Sequence, residues 1–219
     1  MSTRRVADNA QGRTEAARVL AEGGLVAFPT DTVYGIAVSL KARSGMERLF
    51  AAKGRPPDRA IALLAADAAQ AAEIGELNGP AKALASAFWP GGLTLVVPQR
   101  PDRSLSVALT GDPSIAHPKV GVRVPDHDAP RALARAVGPL PTTSANRSGE
   151  PEAANADELE AQLGQSLDLI LDGGPAHGGP ASTVVDTTVE PVRILREGAI
   201  SIERIDRCLA SANLPGVGK

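Results

Sequence analysis

STVVDTTVEPVRIL, residues 182–195, holds two short apolar runs, 182–186 and 192–195, joined by only five residues. Five residues cannot carry a chain from one strand back to the start of a parallel neighbour, which takes a dozen or more. The two runs therefore pair antiparallel. Upstream, short apolar strands at 25–28, 33–39, 60–64, 93–97, 119–124, 140–143 and 167–171 are interleaved with helical patterns at 14–23, 44–53, 66–77, 80–88, 129–137, 157–164 and 201–211. Gly and Pro, 40 of 219 residues, punctuate the series. Strands alternating with helices predict an α/β fold, and the antiparallel pair makes its sheet a mixed, twisted one flanked by helices. No linker divides the chain. Residues 1–13 are expected to be an N-terminal extension, 14–205 the domain, and 206–219 the end of the last helix and a tail, frayed from 214 onward.

The 219 residues suffice for one domain with a sizeable core. Hydrophobic residues are 43% and charged residues 22%, an ordinary globular balance. Aromatics are only 2%, so the core is Ala, Val, Leu and Ile, and a base-stacking platform is nearly excluded. A net charge of -2 argues against a general nucleic-acid coat. The single Cys208 forms no intrachain disulfide and no thiolate metal centre, and is expected as an inert thiol on the last helix. The three His have no ligand spacing, so no metal site of the protein's own is expected. The longest apolar run, 60–66, is far short of a membrane span, and Arg4-Arg5 is not followed by an export signal. The expected compartment is the cytoplasm, with no membrane partner.

Charge is uneven. Residues 41–59 hold six basic and two acidic side chains, whereas 150–172 hold seven acidic and no basic ones. Lys53, Arg55 and Arg59, three cations in seven residues stiffened by Pro56 and Pro57, make a clamp for a polyphosphate: Arg offers a planar fork and Lys a point charge. A tight helix terminus would use the same residues. PTDTVYG at 29–35 places two hydroxyls, a carboxylate and the only Tyr between two apolar strands. TTSANRSG at 142–149 offers hydroxyls, the Asn146 amide and small side chains that let backbone amides approach a phosphate or ribose. The segments 182–186 and 195–198 put polar residues at strand ends, where open α/β sheets bind ligands. No Walker loop, no dinucleotide-binding glycine motif and no nucleophile elbow is present.

PTDTVYG at 29–35, KGRP at 53–56, FWPGGLT at 88–94, VGVRVP at 120–125, TSANRSGEP at 143–151, STVVD at 182–186 and LREG at 195–198 occur in this order. Together they resemble the YrdC-like family of threonylcarbamoyl-AMP synthases, over about residues 14–205. The resemblance implies the YrdC-like α/β twist around a deep basic cavity. It implies a nucleotidyltransferase that joins L-threonine, bicarbonate and ATP into threonylcarbamoyl-AMP and pyrophosphate, for threonylcarbamoylation of the adenosine next to the tRNA anticodon. It implies a short form without the extra C-terminal domain, possible contact with tRNA as double-stranded RNA, and a downstream threonylcarbamoyl transferase complex as partner. Lys53 and Arg55 are then the catalytic pair on the triphosphate, joined at the nucleotide by Arg59, Lys119, Ser144, Asn146 and Arg196. Thr32, Arg123, Thr142 and Ser182 hold threonine or its carbamate, with Arg123 on the carboxylate. Mg²⁺ accompanies ATP on phosphates and water. Asp31 stands where the family commonly has Glu, and Arg59 and Leu64 where many synthases carry a small polar residue and a His. The alternatives are an RNA-binding module on the same fold, and a YrdC-like protein with a different carbamoyl or adenylate substrate.

Overall fold

Strands β9 (Thr183–Asp186) and β10 (Arg193–Arg196) pair antiparallel, with Arg193 opposite Asp186, as their short link requires. The computed structural model describes residues 3–54, 60–103, 105–110, 117–176 and 178–218. From the N-terminus the chain forms β1 (Arg4–Ala7), α1 (Ala10–Ala21), β2 (Val26–Phe28), β3 (Gly35–Ala37), α2 (Gly45–Lys53), β4 (Ala62–Leu64), α3 (Ala68–Ala72) and α4 (Gly79–Phe88). There follow β5 (Leu93–Pro98), α5 (Val107–Thr110), β6 (Lys119–Arg123), α6 (Asp128–Val137), β7 (Leu140–Ser144), α7 (Ala156–Leu163) and β8 (Leu169–Asp172). After β9 and β10 comes α8 (Ile202–Ser211). Among the described residues the strands make one ten-stranded sheet in the order β1-β8-β2-β3-β7-β4-β6-β5-β9-β10. The β1–β8, β2–β8, β4–β6 and β5–β9 pairs are parallel and the other five antiparallel, so the sheet is mixed as expected.

Alternation along the strands decides the two faces. Val120 and Val122, with Leu93, Leu95 and Val97, point into a core shared with Leu49 of α2, Leu84 of α4, Leu159 of α7, and Ile205 and Leu209 of α8. On the opposite face α1 and α6 bury Ala16, Leu20, Ala129 and Leu133 over Val26, Phe28, Leu140 and Leu169. These two helices cover that face from β1 across to Leu140 of β7 and Leu64 of β4. Beyond that cover the strands present Thr142, Ala62, Gly121, Arg123, Thr94 and Ser182, a row too polar to bury under a helix, and a cavity opens there.

Local chemistry sets the helix ends. Asn9 caps α1 by accepting from Gly12 N, and Asn78 and Asn155 do the same for α4 and α7. Helix α2 stops at Gly54, whose φ of 62° is left-handed and has nothing within 4 Å of a would-be side chain.

Three expectations from the sequence need correcting, and one short helix lies outside them. Residues 4–13, expected as an extension, contain β1 and the first turn of α1; β1 escaped notice because Arg4 and Arg5 give it no apolar alternation. The helix expected over 66–77 is only Ala68–Ala72, because Gly75 turns into a bridge with Gln99 and lies against Val97. The four-residue α5 had no sequence signal of its own. The tail is not frayed from 214: Leu214 and Val217 pack on the core, and Gly218 N donates to Val192 O at 2.8 Å. Cys208 sits on α8, partly buried, and burial pushes its thiol up, as fits an inert group. Among the described residues no helix is long and apolar enough to cross a membrane.

Candidate functional site

The cavity holds about 460 Å³. Its floor is the uncovered face of β7, β4, β6, β5 and β9, and the 30–35 segment and Arg196 of β10 reach it from the sides. Sheet register makes it from residues far apart in sequence: Leu64 lies beside Arg123 on the parallel β4–β6 pair, and Ala62 opposite Thr142 on the antiparallel β4–β7 pair.

Arg123, 7% exposed, is the anchor at one end. Its Nη2 donates to Asp31 Oδ1 at 2.6 Å, its Nη1 to Thr32 Oγ1 at 3.3 Å, and its Nε to Gly91 O at 3.0 Å. Among the described residues three of the five N–H groups of the guanidinium are thereby engaged, and each η nitrogen keeps one for another acceptor. Thr32 is held in turn by Thr30, whose hydroxyl lies 3.1 Å from Thr32 Oγ1 and donates to Val33 O at 2.6 Å. Tyr34 pins the same segment from beneath, its hydroxyl donating to Gly174 O at 2.7 Å. Asp31, the shorter acid at this position, still reaches the arginine.

Ser182 and Arg196 form a second group. Arg196 donates from Nη2 to Ser182 O at 2.8 Å and Oγ at 3.1 Å, and the Ser182 hydroxyl is 2.8 Å from Thr94 Oγ1. Arg196 makes no ion pair among the described residues. Partial burial holds its guanidinium below the ordinary value, Glu152 opposing and Arg123 adding to the effect. A partly desolvated cation of this kind favours an anion beside it.

At a third edge Lys119 Nζ donates to Asp186 Oδ2 at 3.1 Å. Burial alone would raise the Asp186 carboxyl, but the Thr188 hydroxyl and amide, with Lys119, outweigh it and hold the carboxyl below the usual range. The described charges lining the cavity are thus three cations, Lys119, Arg123 and Arg196, and two carboxylates, Glu152 and Asp186.

Lys53 ends α2 and is 5% exposed. Its ammonium reaches Ser144 O at 2.6 Å, Ser144 Oγ at 3.0 Å, Asn146 O at 3.1 Å and Asn146 Oδ1 at 2.7 Å. Asn146 also donates to Glu150 O at 2.6 Å, and Ser148 N to Lys53 O at 2.9 Å. The lysine and the 142–149 segment are therefore one unit, with Ser144 at its cavity side.

Of the residues singled out in the sequence, Thr32, Lys119, Arg123, Thr142, Ser144, Ser182 and Arg196 line one cavity, and Leu64 is in its wall. Lys53 and Asn146 stand behind Ser144. The Thr142 hydroxyl is turned back to Leu140 O at 2.8 Å. Arg55 and Arg59 lie outside the described residues. Sequence reasoning missed Thr94 and Asp186 as members of the site. Asp186 has a signal, since Ser182, Val184 and Asp186 alternate toward one face; Thr94 has none until β5 is laid beside β9. Among the described residues no group of three His, Cys, Asp or Glu is placed to hold a metal ion, and the Asp186 carboxylate is already committed to Lys119 and Thr188.

The family model Sua5_yciO_yrdC, described as telomere recombination, matches residues 18–198. A threonylcarbamoyl-AMP synthase of Bacillus subtilis is 38% identical over 197 residues, 88% of this chain and 55% of that protein. A threonylcarbamoyl-AMP synthase of Idiomarina loihiensis is 34% identical over 170 residues, 74% of this chain and 88% of that one. The crystal structure of the P. abyssi Sua5 protein complexed with L-threonine superposes with a TM-score of 0.85 at 32% identity, covering 99% of this chain and 62% of that chain. This chain thus spans little more than half the length of the Bacillus and Pyrococcus proteins.

Proposed function

The chain belongs to the Sua5–YciO–YrdC family, and from that premise we propose that it is a threonylcarbamoyl-AMP synthase, a nucleotidyltransferase acting on L-threonine, bicarbonate and ATP. One observation carries the reading: a single cavity gathers a buried arginine with two N–H groups to spare at one end, and Ser144, Lys119 and Arg196 around the rest. The first end suits a carboxylate and the remainder a polyphosphate. A relative of the same fold is complexed with L-threonine.

In this mechanism the threonine carboxylate takes the free N–H groups of Arg123, with Thr32 and Ser182 beside it. The threonine amine and bicarbonate give a carbamate and water. A carbamate oxygen attacks the α-phosphorus of ATP and the bond to pyrophosphate breaks, leaving the mixed anhydride with AMP. No covalent enzyme intermediate is needed, so positioning and neutralisation of charge do the work. Lys53 holds Ser144 and Asn146 in place for the nucleotide, and Arg55 and Arg59 meet the triphosphate. Arg196 and Lys119 balance the charge that passes to pyrophosphate. Mg²⁺ bound with ATP would be carried by phosphate oxygens and water and would neutralise charge on the triphosphate. The adenylate goes to a cytoplasmic transferase that modifies tRNA.

The test is product analysis of purified protein with ATP, Mg²⁺ and bicarbonate, with and without L-threonine. Pyrophosphate and adenylate formed only with threonine and bicarbonate are expected. Nucleotide binding without threonine-dependent product overturns the reading in favour of another carbamoyl or adenylate substrate. Salt-dependent binding of tRNA without any nucleotide turnover overturns it in favour of an RNA-binding module.

A further inference from the structure

Gly121 stands at the centre of β6, with its Cα on the cavity floor and its neighbours Val120 and Val122 in the core. A glycine weakens a strand, and one found there commonly marks a close approach. Nothing among the described residues requires it. A β carbon at 121 would meet Ala62 Cβ at 3.5 Å, Ala62 Cα at 3.6 Å and Thr94 Cγ2 at 3.6 Å, all ordinary contacts, and the backbone is not left-handed. Gly35, the other glycine in the cavity wall, is different: its β carbon would press on Thr142 Cγ2 at 3.0 Å. The bare Cα of Gly121 therefore keeps floor space open that packing alone would let a side chain fill.

The surroundings specify what fills it. Lys119 and Arg123 lie two residues to either side on the same face, each about 6–7 Å along the strand. Ala62 is level with Gly121 on β4, Val96 is opposite it on β5, and Leu64 is beside Arg123. A small uncharged carbon skeleton between two anionic groups matches this surface: anions toward the two cations, carbon against glycine, alanine and leucine.

We propose that Gly121 is the specificity-determining floor of the amino-acid subsite, on which the carbon skeleton of the substrate amino acid lies between a carboxylate at Arg123 and a phosphoryl group toward Lys119. Leu64 and Ala62 form its apolar walls. The inference rests on the synthase reading and adds to it a steric limit on the size of the amino acid.

Two variants test it. Gly121→Ala is expected to raise the KM for L-threonine by about tenfold or more, the scale that one added carbon carries in a fitted pocket. The KM for ATP stays within about twofold, and glycine gains on threonine as a substrate. Gly121→Val is expected to abolish threonine-dependent pyrophosphate formation while its thermal midpoint stays near that of the unchanged protein, since valine suits a strand. Calorimetric titration with L-threonine gives the same ranking without turnover, and Gly121→Ala alone decides if the valine variant does not fold. Threonine kinetics unchanged in Gly121→Val, or in Gly121→Ala if only that variant folds, overturn the proposal. So does weakened ATP binding with threonine binding intact, which would place the nucleotide on this floor. Failure of the unchanged protein to form pyrophosphate with threonine sinks the synthase reading itself, and this inference with it; an active protein with an indifferent position 121 sinks this inference alone.

Discussion

Arg123 shows what a single residue contributes through its partners. It is held on three sides and almost dry, and Asp31 is the carboxylate it is buried against. Asp31→Ala leaves the guanidinium charge unpaired and is expected to destabilise the protein by about 3–5 kcal/mol, the range for breaking a buried pair from one side. Asp31→Glu, which keeps the charge, should recover most of the loss; chemical denaturation midpoints measure both. Equal stability of the alanine variant would show that water reaches the arginine. Lys53 acts likewise. Lys53→Ala strands the carbonyls of Ser144 and Asn146 and is expected to cost about 1–3 kcal/mol. Adenylate formation should fall about a hundredfold, the cost of a small displacement of Ser144 and Asn146 from the nucleotide. Lys53→Arg should not rescue activity, since a planar fork cannot replace one ammonium among these oxygens. Lys53, Ser144 and Asn146 stand out in the sequence as polar residues, whereas their mutual bonds join positions 91 and 93 residues apart.

At the scale of elements, the β9–β10 pair brings Arg196 over Ser182. Arg196→Leu keeps an exposed edge strand intact but removes a cation that makes no ion pair among the described residues. The KM for ATP is expected to rise tenfold to a hundredfold, or about 1.5–3 kcal/mol, as for loss of a charged hydrogen bond, and that for threonine to stay unchanged. A selective threonine effect would move Arg196 to the other end of the cavity. Most elements were legible from local pattern: β5, β6, α4 and α8 fall within a residue or two of expectation, because apolar periodicity marks them and Asn78 and Ser201 stand at the N-cap positions of the two helices. The illegible ones have no such signal. Arg4 and Arg5 of β1 face solvent and pair with Glu15, Asp157 and Asp172, so β1 is a strand by virtue of the edge of β8 that receives it.

For the whole molecule, Asp172 and Asp186 tie distant parts of the sheet together. Burial pushes the Asp172 carboxyl up, but the Gly174 amide and Arg5 prevail and hold it low, as Thr188 and Lys119 do for Asp186. A carboxyl lowered by folding adds stability above its unfolded value of about 3.9, and that stability is lost as pH falls through the lower folded value. The thermal midpoint is therefore expected to drop below about pH 4. Asp186→Asn should lower the midpoint at pH 7 and shrink the difference between pH 7 and pH 3; an unchanged difference would remove Asp186 from the account. The α/β class, the mixed sheet and nearly every polar segment of the site are determined by the sequence alone, because they follow from spacing, link length and side-chain chemistry over a few residues. The ten-strand order, the pairing of Arg123 with Asp31 and Lys119 with Asp186, and the open floor at Gly121 are decided only by the tertiary structure. They depend on which strands lie side by side and in what register, and that is fixed by the joint burial of apolar residues from distant parts of the chain in two clusters.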